Sequence, residues 1–76
     1  MATYADILTT DLESVRSVIL EQNIVRCNVI ETRCVVKWAG DMPQELVDLG
    51  CTPRSHSEAL SYYSNLANGW ELERPF

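Results

Sequence analysis

Ile24-Val25-Arg26-Cys27-Asn28-Val29-Ile30 and Arg33-Cys34-Val35-Val36-Lys37-Trp38, with Glu31-Thr32 between them, form the stretch on which the fold turns. It reads as a two-stranded hairpin with Glu31-Thr32 at the tip. Val25, Cys27 and Val29 then fall opposite Trp38, Val36 and Cys34 on one face. Arg26, Asn28 and Ile30 fall opposite Lys37, Val35 and Arg33 on the other. Side chains alternate along a strand, and a one-residue slip would bury the charges, so this alternation specifies the register. The hairpin also gives the chain its candidate basic face, Arg26, Arg33 and Lys37.

Upstream, Tyr4 to Gln22 reads as helix, because Ala5, Leu8, Leu12, Val15 and Ile19 fall in one stripe at a 3.6-residue period. Two readings of its start stand side by side. The stripe stays in phase across Thr9-Thr10, as one continuous helix requires, whereas Thr10-Asp11-Leu12-Glu13 matches a capping box and favours a break there. Downstream, Asp41 as N-cap and Gly50 as stop bracket a short helix from Met42 to Leu49, which buries Met42, Leu46 and Leu49. Ser55-His56-Ser57-Glu58 is a second capping box and opens a helix to about Ala67. In the tail, Trp70 and Leu72 alternate with Glu71 and Glu73, which predicts a third strand beside the hairpin. Residues 1–76 therefore read as one α+β domain: a three-stranded antiparallel sheet, hairpin plus C-terminal strand, packed on one face by two to three helices.

A chain of 76 residues sits near the size at which a hydrophobic core alone is barely sufficient, and self-association is one remedy. The formal charge of −5, with acids outnumbering bases eleven to six, disfavours binding to phosphates and to anionic membrane surfaces. No stretch approaches the length of a transmembrane helix. Three cysteines, an odd number, without a secretory signal fit a reducing interior, so the expected location is cytoplasmic.

The groups that carry chemistry are sparse. His56 is the single histidine, a candidate general base or metal ligand that needs an oriented partner. Cys27, Cys34, Cys51 and His56 lack the paired spacing of a zinc site, and Cys27 lies diagonal to Cys34, which disfavours a disulfide. Cys51, beside a capped helix start and Arg54, is the candidate reactive thiol. No metal and no cofactor is expected. The apolar surplus is more suggestive: Tyr4, Ile7 and Val18 widen the first helix's stripe, Tyr62 sits at the edge of its own, and Trp38 can meet Trp70. These six are the candidate contact residues, unless the small core consumes them. The basic face docks an acidic partner or forms a charge ladder with Glu71 and Glu73.

The sequence thus points to a non-catalytic protein-interaction module, an accessory, adaptor or inhibitor that is homodimeric and acts on a protein partner. One alternative is a small thiol- or metal-dependent protein using Cys51 and His56. Another is an acidic nucleic-acid mimic of the phage or mobile-element type. A nucleic-acid binder using the hairpin's basic face ranks below these.

Overall fold

The second arm of the hairpin is the centre of the sheet. The computed structural model describes residues 2–25, 32–64 and 69–73. Strand β3 (Arg33–Ala39) pairs antiparallel on one side with β1 (Ala2–Leu8), from Ala2 opposite Ala39 to Leu8 opposite Arg33. On its other side it pairs antiparallel with β2 (Ile24–Val25). The order is β1-β3-β2. The described residues also contain helices α1 (Leu12–Val15), α2 (Gln44–Asp48), α3 (His56–Tyr62) and α4 (Gly69–Glu73). The expected class, α+β with a three-stranded antiparallel sheet, is the one observed.

Which segments supply the outer strands differs from expectation. The N-terminal segment is not a helix from Tyr4. It is strand to Leu8, a 3-10 turn at Thr9–Asp11, and then the single turn of α1. The break does fall at Thr9-Thr10, but the N-cap of α1 is Asp11 and its side chain makes no capping bond. Ala5 and Ile7 point to one side of the sheet and Tyr4 to the other, and all three are buried. A strand covered on both faces shows no apolar–polar alternation, and the accidental 3.6-residue stripe then dominates the reading.

The tail is also reversed: residues 69–73 are helix, not strand. Seven residues of β1 already occupy the flank of β3 that a third strand would need. Four alternating residues are too few to separate a strand from a helical turn. As helix α4, the segment buries Leu72 against Tyr4, Val35, Ala59 and Tyr63.

Helices cover both faces of the sheet rather than one. On one face, Ala5, Ile7, Cys34, Val36 and Trp38 pack with Val15, Ile19 and Leu46 from the α1–α2 side. On the other, Tyr4, Val25 and Val35 pack with Ala59, Tyr63 and Leu72 from the α3–α4 side. Lys37, placed on a solvent face by the sequence reading, is only 6% exposed because that face is roofed by α3 and α4.

The hairpin register shifts by three residues, with Val25 opposite Val35 and Ile24 opposite Val36. An odd shift turns Val25 to the Val35 side, away from Trp38. The remainder of the first arm, residues 26–30, and Glu31 at the tip lie outside the described residues.

The two short helices after β3 follow the sequence closely. Gly50 ends α2 at φ +73°, a backbone region where a side chain is strained. Leu46 is buried, with Met42 and Leu49 packed half-buried beside it. At α3 the capping box is complete: the Glu58 N–H donates to Ser55 Oγ at 3.3 Å, and the Ser55 N–H donates to Glu58 Oε1 at 3.0 Å.

Candidate functional site

Two features of the surface are built by this topology: a polar cleft at the free edge of β1, and the outer face of the α1–α2 layer.

β1 is an edge strand, and its outward backbone groups need cover. The Tyr4 N–H donates to the Arg54 carbonyl at 2.9 Å, and the Arg54 N–H donates back at 2.8 Å. Toward the end of β1 the flanking chain, residues 49–52, leaves a cleft of about 260 Å³. Asp6, Asp11, Arg33, Cys51 and Thr52 supply its polar lining. Arg33 donates to Asp6 Oδ2 from Nε at 2.8 Å and from Nη2 at 2.6 Å. In the sheet Asp6 lies opposite Val35 and Arg33 opposite Leu8, so the two charges meet diagonally on one face. Arg33 is therefore bound to β1, not to a ladder with Glu71 and Glu73.

Cys51, the candidate reactive thiol, is half-buried beside this ion pair. Burial, and then the Asp6 carboxylate, push its thiol above the ordinary value of 9.0. A reactive cysteine needs the opposite, a site that favours the thiolate. Its proposed companion His56 lies on the other side of the sheet. The His56 ring sits 5.7 Å from the Tyr4 ring, and its Nε2 is 2.6 Å from the Leu72 carbonyl oxygen. A carbonyl only accepts, so Nε2 carries the proton. Tyr4 Oη donates to the same carbonyl at 3.2 Å. His56 and Tyr4 thus fasten α4 to the body of the fold. Cys51 instead packs against the opposite cluster, with Ala5, Ile7 and Cys34. The structure does not bring the pair together, and Cys27 lies outside the described residues.

Of the six candidate contact residues, Tyr4, Ile7 and Trp38 are core. Tyr62 is exposed, yet its ring carries the Arg54 guanidinium 3.7 Å above its centroid. Trp70 lies in α4, where its side chain is not among those described. Val18 is 41% exposed and remains a surface residue. Of the basic face, Lys37 is buried, Arg33 is ion-paired, and Arg26 lies outside the described residues.

Leu20 and Val47, 63% and 49% exposed, were not anticipated as surface groups. Val47 was legible: it falls off the Met42, Leu46 and Leu49 stripe that the sequence places inward, of which Leu46 is buried and the other two are half-buried. Leu20 was hidden by a helix that ends about two turns earlier than expected, in a segment where Ile19 is buried and its neighbours are not.

Among the described residues no helix is long and apolar enough to cross a membrane. No protein family, curated protein or solved structure matches this chain.

Proposed function

We propose that this chain is a non-catalytic protein-interaction module, acting as an accessory, adaptor or inhibitor in the cytoplasm. The observation that carries the reading is the exposure of Val18, Leu20 and Val47 on the α1–α2 side of the sheet. On that side of the sheet Val15, Ile19 and Leu46 already fill the core. Single exposed apolar residues are ordinary on any protein. Three large ones on one thin layer are a reason for that layer to be covered. Covering them stabilises a complex at about 25 cal/mol per Å² of apolar area removed from water.

The homodimer is the first form of the proposal to measure. Light scattering across a dilution series should show a dimer that dissociates in the Leu20→Ser/Val47→Ser variant. Circular dichroism would verify that the variant still folds. A strict monomer at every concentration refutes self-association. A dimer that the double substitution leaves intact refutes the assignment to this face.

A further inference from the structure

The free edge of β1 has a phase. Tyr4 turns both its N–H and its C=O outward, onto Arg54. In an antiparallel ladder such residues alternate with those that bond inward, so Asp6 and Leu8 turn theirs outward as well. Thr9 agrees, since its N–H donates inward to the Thr32 carbonyl at 2.7 Å. Beyond the Arg54 bridge this edge and residues 49–52 line the cleft together. That chain does not pair with the edge, because its donors close α2. The Gly50 N–H donates to the Val47 carbonyl at 3.0 Å, and the Cys51 N–H to the Leu46 carbonyl at 3.4 Å. Among the described residues no backbone hydrogen bond joins Asp6 or Leu8 to it. Charge in the cleft is also uneven. Arg33 donates twice to Asp6, whereas the Asp11 carboxylate has no hydrogen bond or ion pair among the described residues.

We infer that this cleft is a strand-addition site for an extended basic peptide segment, whose backbone pairs with Asp6 and Leu8 and whose Lys or Arg side chain meets Asp11. Pairing with both residues takes three residues of added strand, about 7 Å from first to last. At about 260 Å³ the cleft is smaller than the roughly 300–1,000 Å³ that encloses a drug-sized ligand, and far larger than the roughly 30 Å³ of one water. Main-chain bonds to an open edge supply affinity, and side-chain contacts supply the choice of segment. The uncompensated Asp11 favours a cation and opposes an acidic segment. Its field reaches the Cys51 thiol, which burial, Asp6 and, more weakly, Asp11 all push up. Val18, Leu20 and Val47 do not line the cleft, so this site does not rest on the face assigned to self-association.

The probe is acetyl-Thr-Val-Lys-Val-Thr-amide, titrated into the isotope-labelled full chain and followed by amide NMR shifts. The amides of Asp6, Leu8 and residues 50–52 should shift along one saturating curve, and the Asp6 and Leu8 N–H groups should exchange more slowly with solvent. Asp11→Asn should weaken binding by about two- to fivefold and abolish the preference for this peptide over the same one with Glu for Lys. Leu8→Pro removes an outward donor at φ −69°, where proline fits an edge strand, and should weaken binding by about tenfold in a variant whose spectrum shows it folded. The peptide N-methylated at every residue tests the same bonds with the protein unchanged, and should not bind. No saturable shift, equal binding of the Glu peptide, or binding untouched by full N-methylation or by a folded Leu8→Pro overturns the inference. So does lysine amide that shifts these amides as strongly as the peptide, which makes the cleft a site for a small cation. The same shifts on concentrating the protein alone put a second copy on the edge and overturn it too. The dilution series with Leu20→Ser/Val47→Ser reads the other face separately, so failure of this site and failure of the interaction reading are told apart.

Discussion

Truncating Leu72 to alanine tests the least anticipated feature of the fold, the docking of its C-terminal segment as helix α4. Leu72 is 1% exposed and packs with Tyr4, Val35, Ala59 and Tyr63. Those neighbours belong to β1, β3 and the α3 region, so the cavity left behind is walled by elements that cannot easily collapse. Leu→Ala at such a site costs about 2–5 kcal/mol, the transfer term plus the cavity term. A domain of 76 residues has a total stability of about 4–11 kcal/mol at typical values per residue. The substitution therefore removes a large share of the whole, and the expected drop in Tm is about 10 °C or more. Urea unfolding followed by circular dichroism reads the change in midpoint. Leu20→Ala is the internal control: with Leu20 63% exposed, the change should stay within about 0.5 kcal/mol. If Leu72→Ala costs no more than the Leu20 control, the tail does not close this face of the sheet and the reasoning is refuted.

The shared carbonyl of Leu72 makes Tyr4→Phe and His56→Ala a coupled pair. Each single change should cost about 0.5–1.5 kcal/mol, and the double change more than their sum, because only then does the carbonyl lose both donors; strict additivity in a urea double-mutant cycle counts against it. Stability should also fall at both pH extremes. Burial, and then the Asp6 carboxylate, hold the Tyr63 hydroxyl above 10.0, so its contribution is full below 10.0 and is lost as pH rises through the raised value. The Ser55 N–H, and then its hydroxyl, hold Glu58 below 4.5, so that contribution is full above 4.5 and is lost as pH falls through the lowered value. Urea midpoints against pH should show a shallower alkaline limb in Tyr63→Phe and a shallower acid limb in Glu58→Gln; unchanged limbs would contradict both assignments. Finally, Cys51 should react with iodoacetamide more slowly than a free thiol at neutral pH, and faster in Asp6→Asn. A rate equal to that of a free thiol would place Cys51 in a different environment.

What the sequence disclosed depended on whether one face of a segment met water. Ser55-His56-Ser57-Glu58 is a local hydrogen-bond motif, and the structure closes it as read. Gly50 and Leu46 obey local rules in the same way. The inward and outward partition of Cys34, Val36 and Trp38 from Arg33, Val35 and Lys37 was also legible, since a strand fixes it whatever lies above. What covers the second partition was not. Val35 and Lys37 are buried by α3 and α4, and no feature of β3 itself announces that roof. The same two-sided burial disguised β1. Its Tyr4 and Ile7, placed beside a helical stripe, proved to be core residues on opposite faces of a sheet. At the tail, the alternation of Leu72 with Glu71 and Glu73 was real but too short to decide between periods. The candidate site fared less well, because exposure is a tertiary property. Val47 could be found by its place off the stripe of its helix, whereas Cys51 and His56 could be separated only once the sheet stood between them.

The two sides of the sheet are stabilised in different ways, and the contrast bears on what the acids of the α1–α2 layer are for. The α3–α4 side is tied by specific polar contacts: two donors on the Leu72 carbonyl, the capping box of α3, and the Arg54 backbone bridge to Tyr4. On the α1–α2 side, some acids help the fold locally. Glu13 and Glu45 lie in the first turns of α1 and α2, where the helix dipole favours a negative group. Asp48 does not. It is the last residue of α2, the end at which the dipole opposes it, and its carboxylate is offset by the Gln44 amide at 2.8 Å. Asp11 caps α1 by position but contributes no side-chain bond. Local contacts thus account for most of these acids: Glu13 and Glu21 pair with Arg16, Asp48 accepts from the Gln44 amide, and Glu45 sits in the first turn of α2.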